Sequence, residues 1–483
     1  MLFNSVPYLI FFPVVVALYF AITRSWRWLL LLAASYFFYM CWKAEYVLLI
    51  MATTLVVYFT AIMMGRQPDR KARKKYLILS LFINLGILAL FKYLNFFDSS
   101  INMVLGGLHI PEKIPELKLL LPVGISFYTF QALGYSIDVY RGTAAPEKHL
   151  GRFALFVSFF PQLLMGPIER SRNMLPQYRD PRDFSPQRLV SGARLMAWGF
   201  FKKLVIADRL GIYVSSVYDN PSHPSGLPVI LATVFFAFQL YCDFSAYTDI
   251  ARGSARILGY DLMINFNRPF IARSVSDFWR RWHISLTTWF RDYLFFSLSA
   301  KHKNRIVDRK IYLNLMITFL LIGLWHGAHW TFLFFGFLQG LYLIAEGLTG
   351  KTRERISRFL KLDRLPWLVH PGSILLTFFL ICFSIVFFRA GSMADGFALL
   401  GNAVHLSGIT IAIKDILANN EVTFAILQIV LLLVVEQIHD KRNLVEWLSR
   451  RPVFVRWPAY IGFICYVLVF GIMTTKEFLY FQF

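Results

Sequence analysis

The sequence predicts an all-α fold, a polytopic helical membrane protein of roughly 11–12 spans, and three observations carry that reading. The 483-residue chain is 57% hydrophobic, with a mean hydropathy of +0.54. Only 16% of its residues are charged, against roughly 25% in soluble domains. Apolar runs of about 20 residues, long enough to cross a bilayer, recur along its length. No Gly/Ser/Pro-rich linker divides the chain, so a single membrane domain over residues 1–483 is expected. Within it, residues 1–117 form N-terminal spans, 118–350 a core and 351–483 C-terminal spans.

The elements follow from where the basic residues fall. The start, MLFNSVPYLIFFPVVVALYFAITRSWRW, lacks a basic leader and a small-residue cleavage site, so it reads as a retained first span. Lys and Arg cluster at 65–76, 169–188, 252–310, 351–364 and 439–457, and such loops stay in the cytoplasm. Loops near 98–117, 215–226 and 393–421 are poor in them. The net charge of +22 therefore describes topology and a lipid surface rather than nucleic acid.

Spans near 6–22, 26–42, 46–64 and 76–97 alternate correctly if the N-terminus is extracytoplasmic, and a span near 118–140 returns the chain. The apolar stretch 152–168 has basic residues on both sides and contains Pro161, Gly166 and Pro167. It reads as a re-entrant hairpin, tolerated when buried in protein. Spans near 187–208 and 227–247 follow, then an apolar hairpin over 311–347 with basic flanks. Both flanks belong on the cytoplasmic side, which puts the WHGAH turn deep in the membrane or towards its outer face. Spans near 372–391, 422–438 and 457–475 leave the C-terminus extracytoplasmic as well. No 20–50-residue repeat appears, and the spacing is too irregular for an inverted-repeat transporter.

Segment 252–310 is too long and patterned for a plain connector. Phe278, Trp282, Leu286, Trp289, Tyr293 and Phe296 recur every three or four residues, one helical face, with Arg280, Arg281, Arg291 and Asp292 between them. An interfacial anchor on anionic lipid is one reading. The density of Asp277, His283, Ser285, Thr287, Thr288 and Asp292 favours the other, a polar cavity wall near the cytoplasmic face. Upstream, Gln239, Asp243, Ser245, Tyr247, Thr248 and Asp249 close a span. The two aspartates could do acid–base work or hold a cation, but pairing with Arg252 or Arg256 explains them more simply.

The stretch LIGLWHGAHW, residues 321–330, places two histidines where ionisable groups are expensive and mark a cavity or a site of function. His326 and His329 are spaced to share a helical face. No Asp, Glu or Cys lies nearby to complete the three ligands a catalytic zinc needs, so no metal is expected. His329 is expected to pack or hydrogen-bond near the turn. His109, His149, His223, His302, His370, His405 and His439 receive no role. Cys41, Cys242, Cys382 and Cys465 are scattered without ligand or disulfide spacing and read as small core residues.

FWRRWHISLTTWFRDYLFFSL with GLWHGAHWTFLFFG, whose histidines His283 and His326 stand 43 residues apart, resembles the membrane-bound O-acyltransferase (MBOAT) superfamily. More narrowly it resembles the bacterial branch that includes alginate O-acetyltransferase. PVGISFYTFQALGYSIDVYRG (122–142), FFPQLLMGPIER (159–170), GFFKKLVIADRL (199–210) and QLYCDFSAYTDIARG fit the same branch. The resemblance covers at least residues 1–350. It implies re-entrant helices around a deep channel and a catalytic core at 118–350. The active-site histidine matches His326, in WHG, and the second functional histidine matches His283, in WHIS.

The resemblance also implies a reaction: acyl transfer from a cytoplasmic thioester, acetyl-CoA or an acyl carrier, with no bound cofactor. The acetyl group passes across the bacterial inner membrane to an extracytoplasmic protein or an exported polysaccharide such as alginate. His326 would be the general base, and His283 would position the donor or relay the proton. Trp282 and Trp325 would exclude water, and Ser285, Arg291, Asp292, Gln239 and Asp243 are candidates to bind the donor or line the channel. Arg281 and Arg291 could meet coenzyme A phosphates or an acidic carrier. D-alanyl or acetyl transfer to a cell-wall polymer shares both histidine motifs. A proton-coupled lipid or sugar transporter and a secretion scaffold are the alternatives without acyl chemistry.

Overall fold

The computed structural model describes residues 1–110, 114–115, 120–220, 226–299, 309–405, 409–442, 444–473 and 477–479. His223, the basic stretch 300–308 with His302, and residues 118–119 and 474–475 of two expected spans lie outside the described residues. Every regular element among the described residues is helical. Among the described residues seven helices are long and apolar enough to cross a membrane, and most of them present rows of large apolar side chains outward, as lipid-facing helices do. The protein is a multi-pass membrane protein.

Two compact units divide the chain. The first comprises residues 1–196 with 250–263. It opens with α1 (Val6–Ala21), α2 (Arg27–Met40) and α3 (Val47–Gly65). Next, α4 (Arg70–Leu88) runs through a π turn at Ala89–Tyr93 into α5 (Leu94–Gly107), and α6 (Ile125–Arg141) packs against α3 and α4. Asp69 caps α4 by accepting from Ala72 N–H. The segment expected to re-enter, 152–168, is two short helices, α7 (Leu150–Ser158) and α8 (Phe160–Leu163), and every residue from Phe153 to Glu169 is buried. Pro161 lies in the first turn of α8, where its missing N–H costs nothing. The carbonyl of Phe156, left over at the break, accepts from the side-chain amides of Gln131 and Gln162. Then come α9 (Ser171–Arg179) and α10 (Pro186–Phe200), which carries the chain out of this unit.

The second unit comprises residues 197–249 with 264–483. After a π turn at Phe201–Ala207 and α11 (Asp208–Tyr218), the 31-residue α12 (Leu227–Ile257) is its most buried apolar helix. The stretch expected to be one helix beyond it is broken into α13 (Val275–Arg281), α14 (Ile284–Trp289), a π turn at Phe290–Phe295 and α15 (Phe296–Ser299). The break falls at Trp282 and His283. From Phe278 to Tyr293 the expected apolar positions are nonetheless buried, whereas Phe296 is exposed. Following these are α16 (Arg309–His326), α17 (Trp330–Phe359), α18 (Pro366–Arg389), α19 (Met393–Ala403), α20 (Ile409–Ala418), α21 (Asn420–Arg442), α22 (Leu444–Ser449) and α23 (Val453–Phe470). Cys242 and Cys382 are core residues as expected; Cys41 and Cys465 are exposed instead, at a helix end and on the outer face of α23.

The antiparallel pair α16 and α17 is the scaffold of the site. Small residues let helix backbones approach closely in membranes, and here Gly323 and Gly336 meet: a Cβ on Gly323 would lie 2.3 Å from Phe332 O, and one on Gly336 2.4 Å from Phe319 O. Both obstacles are backbone, so nothing can swing aside. Gly336→Ala should therefore destabilise by roughly 1–3 kcal/mol, read as a thermal midpoint in detergent several degrees below wild type. Gly350→Ala, which meets nothing within 4 Å on the same helix, should be neutral or slightly stabilising. Equal midpoints for the two variants would refute the close-contact account.

Candidate active site

His326 is the last residue of α16 and is 3% exposed. It lines an apolar cavity of about 20 Å³ with Leu240 and Phe244 of α12, Phe278 and Trp282, Phe335 of α17, and Ile381, Ile385 and Phe388 of α18. That volume holds little more than one water-sized group. The His326 ring meets Phe388 edge-on at 5.3 Å and Trp325 at 5.3 Å between centroids.

His283 is completely buried one layer behind, with its ring 6.5 Å from that of His326. Phe244 meets it edge-on at 4.7 Å, and Trp325 lies 5.6 Å away. Its backbone is left-handed, φ 42° and ψ 54°, a conformation that costs about 1–3 kcal/mol for a residue with a Cβ and persists only when its surroundings enforce it. Asn265 supplies that enforcement. Its carbonyl accepts from Ile284 N–H at 2.9 Å, and its side-chain oxygen accepts from Ser285 N–H at 3.1 Å and from Ser285 Oγ–H at 2.9 Å. This clamp is why the expected continuous helix breaks here. His283 lies outside the spanning helices, and burial holds its pKa well below the ordinary histidine value, helped by nearby His326 and partly opposed by a hydrogen bond to its own backbone. Burial therefore favours the neutral ring.

The walls are tied by a polar chain that sequence reading missed. Trp279 Nε1–H donates to Gln339 Oε1 at 3.0 Å, Gln339 Nε2 donates to Ser384 Oγ at 2.7 Å, and Ser384 donates to Ile381 O at 2.9 Å. Gln339 and Ser384 are both fully buried. A glutamine inside the apolar run GFLQG was the available signal. Glu346, farther along α17, accepts from Ser276 N–H at 3.1 Å in the first turn of α13.

The other expected site residues are placed as follows. Trp282 lines the cavity and Trp325 packs against both imidazoles; Ser285 belongs to the His283 turn. Arg291 and Asp292 pair with each other at 2.9 Å and are not on the cavity wall, and Arg281 pairs with Asp277 of its own helix at 2.9 Å. Gln239 packs against Gly211 of α11. Asp243 sits in a separate buried ion cluster. It pairs with Lys203 at 2.7 Å rather than with the expected Arg252 or Arg256, and accepts from Leu479 N–H at 2.8 Å. The reason is the π turn at Phe201–Ala207, which delivers two consecutive lysines to α12: Lys203 also meets Asp208 at 2.9 Å, and Lys202 pairs with Asp249 at 2.7 Å. His329, exposed, caps α17 by accepting from Thr331. Among the described residues no three His, Cys, Asp or Glu side chains converge as a metal site.

The family described as MBOAT, membrane-bound O-acyltransferase, matches residues 148–390. The chain is 37% identical over 395 residues to a probable alginate O-acetylase of Azotobacter vinelandii, covering 81% of this chain and 76% of that protein. It is 33% identical to a peptidoglycan O-acetyltransferase of Helicobacter pylori, over 80% of this chain and 74% of the relative. Similarity extends to a teichoic acid D-alanyltransferase of Streptococcus thermophilus, at 30% identity over 50% of this chain and 60% of that one. Both the extent of the matched region and the level of identity place this chain in the MBOAT family, and it is a membrane-bound O-acyltransferase that moves an acyl group from a donor to an exported polymer.

Proposed function

We propose that the protein takes an acetyl group from a cytoplasmic thioester, acetyl-CoA or an acylated carrier, and passes it across the bacterial inner membrane for O-acetylation of an exported polysaccharide such as alginate. The observation that carries this reading is the pair of buried imidazoles, His326 on the wall of a small apolar cavity and His283 directly behind it. A sugar hydroxyl is a poor nucleophile, and a neutral imidazole within reach takes its proton as attack begins. The new C–O ester bond forms, the thioester C–S bond breaks, and the proton ends on the departing sulfur. His326 is the base in this scheme; His283 positions the donor or relays the proton. The closed rings of Trp282, Phe335 and Phe388 keep out water that would hydrolyse the thioester. The small size of the cavity, about 20 Å³, supports a short acyl group over a long one. Arg281 and Arg291 already face Asp277 and Asp292, so the reading leans on the histidines and not on a phosphate-binding cluster.

In this scheme both termini are extracytoplasmic, the hairpin α16–α17 carries His326 inward from a cytoplasmic base, and the attacking hydroxyl is supplied from the extracytoplasmic side, by the polymer or by a separate protein that carries the acetyl group to it. Transfer to a cell-wall polymer is the second reading, favoured by the similarity to the Helicobacter pylori and Streptococcus thermophilus enzymes.

Membranes supplied with radiolabelled acetyl-CoA should transfer label to a polysaccharide or protein fraction, and His326→Ala should lower that transfer by about 10²–10⁴-fold while the protein remains folded. Undiminished transfer by His326→Ala would remove the general-base assignment; flux of an unmodified lipid or sugar without labelled product would point to transport. A second prediction concerns pH. Because the folded pKa of His283 is depressed, its contribution to stability is complete above the unfolded value of about 6.5 and is lost as pH falls towards the folded one. The thermal midpoint of His283→Gln in detergent should therefore fall less between pH 7.5 and 5 than that of wild type. Parallel curves would contradict a neutral His283.

A further inference from the structure

We propose that Asn265 and Ser285 are positioning residues that set the tautomer of His283, holding its proton on Nδ1 and leaving the lone pair on Nε2. The inference follows from counting hydrogens. The side-chain atom of Asn265 that faces Ser285 receives the Ser285 backbone N–H at 3.1 Å. A backbone N–H can only donate, so that atom is the amide oxygen and the orientation of the Asn265 amide is fixed. The same oxygen lies 2.9 Å from Ser285 Oγ. An amide oxygen only accepts, so the single hydroxyl hydrogen of Ser285 is committed to Asn265.

Ser285 Oγ also lies 3.5 Å from His283 Nδ1. With its hydrogen spent, the hydroxyl can meet that nitrogen only as an acceptor, which places the proton on Nδ1, in agreement with the ring's hydrogen bond to its own backbone, which only Nδ1 can reach. A neutral imidazole has one proton, and Nε2 is thereby the basic nitrogen. All three residues are buried to 1% exposure or less, so no bulk water competes for these hydrogens. Asn265 further fixes the ring's place through Ile284 N–H, at 2.9 Å, across the left-handed turn of His283. One asparagine thus sets where the imidazole stands and, through the serine, which nitrogen is basic. The consequence for transfer, that His283 accepts a proton at Nε2 when it relays or positions, rests on the function proposed above; the tautomer itself does not.

The experiment is solid-state NMR of the full chain in lipid with ¹⁵N-histidine, His283 being assigned by its loss in His283→Gln. Wild type should show His283 protonated at Nδ1 and unprotonated at Nε2. Ser285→Ala should move the proton wholly or partly to Nε2, and Ser285→Thr, which keeps the hydroxyl, should restore the wild-type pattern. In the acetyl-transfer assay Ser285→Ala should lower kcat by about 10–100-fold, the range lost when groups that orient metal-bound imidazoles are removed, with KM little changed and activity recovered in Ser285→Thr. A wild-type His283 protonated at Nε2, or a Ser285→Ala spectrum identical to wild type, overturns the proposal. A wild type that transfers no acetyl group but carries Nδ1–H at His283 upholds the tautomer and overturns the proposed function instead.

Discussion

Backbone contact between α16 and α17 at Gly323 and Gly336 sets where His326 lies, and most of the site depends on it. Side chains of any size at those two positions would push the helices apart and draw the end of α16 away from Phe335 and Phe388. The approach places Gln339, one turn beyond Gly336, where a single buried amide bridges Trp279 to Ser384 and so joins α13, α17 and α18. Buried polar groups with partners at both ends rigidify a core; left half satisfied they would destabilise it. The cavity walls are fixed by that chain of three hydrogen bonds as much as by the packing of aromatic rings.

A second polar centre, on α12, has a different character. Lys203 faces Asp208 and Asp243 while Lys202 faces Asp249 and donates to Ser245 at 2.8 Å. Desolvating such charges consumes much of what their attraction returns, so a cluster of this kind specifies an arrangement more than it adds stability. Here it anchors the π turn at 201–207 and, through Lys203 to Glu477 O and Asp243 to Leu479 N–H, residues 477–479 against α12. Asp243 therefore spends its charge on holding α12 and its neighbours, while the cavity takes from the same helix only the apolar Leu240 and Phe244.

What was legible in the sequence is what depends on periodicity and local composition. Apolar runs disclosed the helices, Pro161 and the basic flanks disclosed the buried break at 152–168, and the two histidine motifs disclosed rings that the fold brings to 6.5 Å. The misreadings share a physical cause. The break at His283 is made by Asn265, eighteen residues earlier in the chain, and a left-handed residue with a Cβ has no compositional signature. The partners of Asp243 and Trp279 lie 40 and 60 residues away. Pairings set by tertiary approach leave no trace in a window of ten or twenty residues, so the nearest arginines on α12 looked the natural partners for Asp243 until the π turn delivered Lys203.

The burial of His283 ties its protonation state to water exclusion. The rings that close on His283, Phe244 and Trp325 among them, are what favour its neutral form. Phe244 also lines the cavity and Trp325 packs against His326. Opening that wall would let in water, which would both solvate the protonated imidazole and compete as a nucleophile for the acyl donor. Under the proposed function, selectivity for a small acyl group, resistance to hydrolysis and the availability of an unprotonated nitrogen follow from one packed set of aromatic side chains, and a substitution that enlarges the cavity should change all three together.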